Sequence, residues 1–154
     1  MPNDLPARLN FCNFLIEKQS NDATFLKRIL FTDEATFTRR GVFNWRNNHT
    51  WEQENPHLIR EHHFQNEFLI NIWCGIINNF IVGPYEMPAR LNGEDYLHFL
   101  QNHLSDELDE LPLDTRQDMW YMHDGAPAHY PLLVRNFLNE RFPHRWLDRG
   151  SKFP

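Results

Sequence analysis

Cysteine is scarce: Cys12 and Cys74 are the only two among 154 residues. A disulfide framework is excluded, and the pair reads as buried thiols of a reducing compartment. Long apolar runs are also missing. The longest, Phe68 to Ile77 (FLINIWCGII), is broken by Asn71. It falls far short of the ~20 residues a spanning helix needs, so no membrane partner is expected. The opening MPNDLPARLN holds no apolar h-region, and no secretory leader is expected. Repeats, low-complexity tracts and a basic import run are absent too. What is present is material for a core. Apolar residues are 41% and charged residues 23%, with 13 Phe, 5 Trp and 4 Tyr. Wholesale disorder is thereby excluded, and the length suits one domain or part of a larger one.

The net charge of −6 argues against a generally basic coat for nucleic acid, but the acidity is local. Asp106, Glu107, Asp109, Glu110, Asp114 and Asp118 lie in one stretch with a single base, Arg116. From Arg135 to Lys152 the bases Arg135, Arg141, Arg145, Arg149 and Lys152 outnumber Glu140 and Asp148. An anionic polymer therefore remains an allowed partner, because binding depends on where the bases sit. Solvated faces are the alternative reading of both runs.

Ten prolines and six glycines cut the chain into short elements. Leu5, Leu9, Cys12, Leu15 and Ile16 recur at helical spacing, with Asp4 as cap, predicting a helix that ends near Gln19. Arg28 to Asp33 reads as a strand, Thr38 to Gly41 as a turn and Val42 to Trp45 as a second strand. Residues 47–65 read as a long polar loop. Phe68 to Ile77 is a third strand, Asn78-Asn79 a tight turn, and Phe80 to Glu86 its hairpin partner. Asn92 caps a helix with the stripe Tyr96/Leu97, Leu100, Leu104, Leu108, stopped by Pro112. Met119 to His123 is the next strand. Pro131 opens a helix burying Leu133, Val134, Phe137 and Leu138, and His144 to Leu147 forms a last short strand. This order predicts an α/β fold, a mixed sheet flanked by helices.

Two acids share one context. Asp33 follows an apolar strand in FTDEATF, and Asp124 follows another in YMHDGAPAH. If the strands are neighbours, both carboxylates emerge at one edge, where they repel unless a cation lies between them. Oxygen ligands of this kind suit Mg²⁺ or Mn²⁺ and phosphodiester chemistry. Glu34, on the opposite face by strand alternation, reads as a surface or helix-capping acid. His123, Asp124 and His129 also form an H-D-x₄-H cluster that zinc could use. The alternative makes His123 a strand residue facing the helices, and His129 a cap or a residue that orients the Asp124 loop. His49, His57, His62 and His63 lie in the polar loop without a C-x₂-C pair, which argues against structural zinc there. Arg39, Arg40 and Arg46 are candidate phosphate contacts, and Trp45 and Trp51 candidate stacking residues; an exposed hairpin tip is the plainer reading. Trp73 belongs to the core.

The strand plus TDEATF, VFNWR, INIWCGI with its hairpin, NGEDYLHFL, HDGAPAHY and RWLDRG together resemble the catalytic domain of Tc1/mariner-type transposases, of the DDE superfamily. The resemblance runs from about Asn10 to Pro154; the block Asp124, Ala126, Pro127, His129 is its most specific part. It implies an RNase H-like fold, incomplete at the C-terminus, with a leading helix and linker over 1–24 and a partial catalytic domain over 25–154. It makes Asp33 and Asp124 catalytic, metal-binding acids for Mg²⁺ or Mn²⁺, with DNA as substrate, a homodimer as assembly and the nucleus as place of action. The family's third acid lies on a helix beyond the strand near Leu147, whereas this chain offers only Glu140 and Asp148, neither on the matching element. The paired helix-turn-helix modules that precede such domains are also lacking. The resemblance thus implies a fragment or relic with weak metal binding and little or no cleavage. The rival expectation is a catalytically dead RNase H-like binding or interaction module, with Asp106 to Asp118 as a protein contact. A mononuclear zinc hydrolase on His123, Asp124 and His129 is a third.

Overall fold

The computed structural model describes residues 4–38, 41–43 and 68–148. Arg39, Arg40, Trp45, Arg46, Trp51 and the four loop histidines lie outside them.

Short, mostly apolar runs build a six-stranded sheet, β1 Ile29–Thr38, β2 Gly41–Phe43, β3 Leu69–Ile77, β4 Phe80–Met87, β5 Trp120–Met122 and β6 Trp146–Leu147. Its order is β4-β3-β1-β5-β6, with β2 also paired to β1. β1 runs antiparallel to β2 and β3 and parallel to β5; β5 runs parallel to β6. The sheet is thus mixed, as the sequence predicts. Asn78 supplies the positive φ (52°) that the β3–β4 turn needs, a conformation that Asn tolerates.

The helices are α1 Asp4–Asn21, α2 Gly93–Asn102, α3 Leu104–Asp109, α4 Leu113–Gln117 and α5 Leu132–Arg141. A 3₁₀ turn, Phe25–Arg28, joins α1 to β1. Two cores follow from the two faces of β1. Leu30 packs with Trp73, Tyr96, Phe99, Leu100, Tyr121 and Leu138 beneath α2, α3 and α5. Ile29 packs on the other face with Phe25 and Leu147, against Phe11, Phe14 and Leu15 of α1. Gly93 fixes the meeting of α2 and α5, because a Cβ there would come within 2.5 Å of the Pro131 ring.

Four predictions need correction, the first being that α5 buries Leu133, which is 39% exposed. The stripe from Tyr96 to Leu108 predicts one helix, but the backbone breaks at His103 (φ −122°, ψ −38°). Four-residue steps drift around a 3.6-residue turn, so a straight helix would rotate Leu108 about 120° away from Tyr96. The break lets Leu104 and Leu108 stay buried. β1 does not stop at Asp33 but continues to Thr38, because β3 pairs with it throughout Phe31 to Thr38. The thiols are not buried: Cys12 is exposed on α1 and Cys74 is partly exposed.

Candidate metal centre

β5 pairs with β1 through Ile29↔Trp120, Leu30↔Tyr121 and Phe31↔Met122, and then ends. Carried two residues on, that parallel register sets Asp124 beside Asp33. β2 reaches the same flank of β1 only from Thr36. Asp33 and Glu34 therefore occupy the gap between two neighbours. Thr32 closes the β5 side, its hydroxyl donating to the Met122 carbonyl at 2.8 Å.

Strand alternation then separates the two acids of β1. Asp33 shares the exposed face with Phe31. Glu34 shares the face of Leu30 and Thr32, under the helices, and its side chain is only 12% exposed. There it meets His129, whose Nε2–H donates to Glu34 Oε1 at 3.2 Å. His129 Nδ1 lies 2.8 Å from the Asp124 carbonyl and 3.1 Å from Asp124 Oδ1. Both ring nitrogens thus face acceptors, which favours the doubly protonated ring. Burial alone would lower the His129 pKa, but the Asp124 and Glu34 carboxylates outweigh it and push it up to about 10. Asp124 Oδ1 also accepts from the Ala126 N–H at 2.8 Å, a turn that Gly125 and Pro127 frame.

Asp33 is the acid under strain. Partial burial pushes its carboxyl above the usual range, and the charges of Glu34 and Asp124 add to this. The Glu34 N–H donates to Asp33 Oδ1 at 3.0 Å and opposes the rise.

Behind the acids lies a buried polar chain that the sequence pattern did not reveal. The Tyr96 hydroxyl is 2.7 Å from that of Tyr121 and 3.1 Å from His123 Nδ1. Burial pushes both tyrosine pKa values up and that of His123 down. The Tyr96 hydroxyl thus bridges Tyr121 and His123. His123 Nε2 lies 3.6 Å from Asp148 Oδ2, and its ring stacks on His129 at 4.6 Å, 8° from parallel.

Potential ligand atoms within 4.8 Å of one another come from Glu34, Asp124 and His129. Neither Asp33, the expected metal-binding acid, nor His123, whose spacing with Asp124 and His129 allowed zinc, is in that group. Glu34, read as a surface or capping acid, is; the alternation that turned it from Asp33 turned it toward His129. Tyr96 looked like one more apolar stripe residue, and its hydroxyl's partners are about 25 residues away in sequence.

A mixed sheet with helices on both faces is also the RNase H-like fold of solved mariner transposase catalytic domains. The particular likeness is to Mos1. Its paired-end complex with Mn superposes at TM-score 0.62 with 20% identity, covering 94% of this chain and 41% of that one. Its catalytic domain with raltegravir and Mg gives TM-score 0.61 and 18% identity, covering 94% and 60%. The Mos1 catalytic domain in another crystal structure gives 0.57 and 18%, covering 92% and 57%. The chain thus spans less than two thirds of each. No protein-family model matches it, and no curated protein does.

Proposed function

We propose that the chain is a transposase-derived catalytic domain of Tc1/mariner type whose Asp33 and Asp124 bind a divalent cation and act on DNA. The observation that carries this is the β1–β5 register, which sets Asp124 beside Asp33; burial, and then the charges of Glu34 and Asp124, raise the Asp33 pKa there. A partly buried acid crowded by two others fits a cation, and an oxygen-rich set suits Mg²⁺ or Mn²⁺. When bound, such an ion supplies Lewis acidity toward a phosphodiester oxygen and lowers the pKa of water. The chain's own residues do the rest. Asp33 stands rigidly in mid-strand, held on one side by β3. The Ala126 N–H and the His129 ring fix the Asp124 carboxylate. His129 is a positioning residue, and Glu34 anchors its far nitrogen. DNA is then the partner, a homodimer the assembly and the nucleus the place of action. Within the described residues the remaining late acids are Glu140 on α5 and Asp148 buried near His123.

A second reading, a catalytically dead RNase H-like binding module, draws support from His129. Its imidazolium already compensates Glu34 and Asp124 without any metal.

One experiment separates the two. Thermal melting with Mn²⁺ should raise the midpoint of the wild type, as for any ligand that binds only the folded state. Asp33→Asn and Asp124→Asn should abolish that shift. A wild type indifferent to Mn²⁺ and Mg²⁺ would establish the dead module instead. Nicking of supercoiled DNA with Mn²⁺, lost in Asp33→Asn, would add the activity itself.

A further inference from the structure

The residue after His129 faces the other way. Tyr130 is 54% exposed, although His129 beside it is 1% exposed. Arg135 of α5 places its guanidinium 4.8 Å from the centre of the Tyr130 ring. The Arg135 Nε is buried and finds no hydrogen-bond partner among the described residues. Leu132 and Leu133, at the start of the same helix, are 64% and 39% exposed. The first turn of α5 carries no acid. An aromatic ring backed by a guanidinium and flanked by two open leucines therefore stands next to the residue that clasps Asp124.

Exposed leucines alone are ordinary, and so is one exposed tyrosine. The combination selects a ligand. A ring with a guanidinium over it is a stacking platform for a base, and cation–π attraction holds the pair together. The guanidinium carries the charge that an adjoining phosphate needs. Apolar side chains at such a place fill the space an unstacked base leaves. A wholly paired duplex hides its base faces and could use only the charge. Resting on the DNA reading above, we propose that Tyr130 and Arg135, with Leu132 and Leu133, form a docking surface for an unpaired nucleotide at a DNA end. This surface would hold the strand beside Asp124. Asp33, Glu34 and Asp124 lie nearby and repel phosphate, with His129 as the nearest compensating charge, so a divalent cation should assist binding.

Fluorescence anisotropy on the full chain tests this, using two labelled oligonucleotides in Mn²⁺ buffer, one a blunt duplex and one the same duplex with a single-stranded 3′ overhang. The wild type should prefer the overhang. Tyr130→Ala should weaken overhang binding about tenfold and leave the blunt duplex nearly unchanged, since stacking is worth ~1–3 kcal/mol per base. Tyr130→Phe should keep the preference. Arg135→Ala should reduce the salt dependence of binding by about one phosphate contact. Melting curves confirm that these surface variants fold. Equal overhang binding by the wild type and Tyr130→Ala would overturn the proposal. A wild type that binds neither oligonucleotide yet keeps its Mn²⁺ shift would overturn this surface but not the metal site. Loss of both binding and shift would overturn the two together.

Discussion

Two aspartates of this chain sit in opposite electrostatic settings. Asp22, in the turn between α1 and the 3₁₀ segment, accepts from the Thr24 N–H at 2.8 Å and the Thr24 hydroxyl at 2.7 Å, and pairs with Arg28. The Thr24 hydrogen bonds, helped by Arg28, draw its pKa below the ordinary 3.8. Asp33 accepts from the Glu34 N–H and otherwise meets acids, with His129 opposing them, and its pKa rises. The first carboxylate is supplied with donors by its own neighbours in sequence, and it closes a turn. The second is partly buried in the sheet and crowded both by the next residue, Glu34, and by Asp124, which long-range pairing delivers. A fold tolerates such crowding where a ligand relieves it, so perturbed groups mark candidate sites. The comparison can be attacked at four points, taken from the largest effect to the smallest.

The largest concerns the counter-charge. His129→Ala should cost about 3 kcal/mol, because it leaves Glu34 and Asp124 without the imidazolium between them. Urea unfolding measures the loss. A double-mutant cycle with Glu34→Gln should show coupling between the two, since they are in direct contact. A cost below about 1 kcal/mol would mean that the acids are not crowded enough to need a cation.

That prediction rests on a contact the sequence reveals only in half. The β1 and β3 strands, the Asn78-Asn79 turn and the α5 helix follow from apolar runs, a turn signal and helical spacing, which are local properties. Asp33 and Asp124 were legible as acids after apolar strands. The continuation of β1 to Thr38 was not, because it depends on β3 pairing across separations of 31 to 39 residues, from Thr38↔Leu69 to Glu34↔Trp73. Glu34 and His129 are 95 residues apart, and no spacing rule reaches that far. The motif drew attention to His129, yet only the register of β5 brings it under Glu34. Tyr96 was hidden for another reason: a tyrosine on an apolar stripe looks like core until its hydroxyl is placed.

The second point is that hydroxyl. Tyr96→Phe should cost about 1–2 kcal/mol, since it removes the hydroxyl that bridges Tyr121 and His123 Nδ1. Thermal melting reads it directly. An unchanged midpoint would show that the buried chain behind the acids contributes no stability. The metal shift of this variant should persist, because none of the ligand-type atoms near Asp124 is touched.

The third changes sign. Asp33→Asn should raise the stability of the metal-free protein by a few tenths of a kcal/mol, since the group is partly exposed and its repulsion with Glu34 and Asp124 is screened. The same variant should lose the Mn²⁺ shift. A destabilised Asp33→Asn would show that the charge is part of the folded structure rather than a burden on it.

The smallest effect lies at the other aspartate and is a matter of pH. Because the folded-state pKa of Asp22 is depressed below 3.8, its contribution is present above that value and is lost as pH falls through the folded pKa. Asp22→Asn keeps an acceptor for the Thr24 N–H but discards the carboxylate. The variant should therefore track the wild type closely near neutral pH, short of its Arg28 ion pair, and the gap between them should close on acidification. Asp33→Asn should behave in the opposite sense: its advantage over the wild type is greatest above the raised Asp33 pKa and vanishes as acid protonates that carboxyl. Two melting curves recorded against pH, one narrowing from below the wild type and one from above it, would separate a carboxylate that holds a turn from one that waits for a cation. Parallel pH curves for the two variants would remove the contrast.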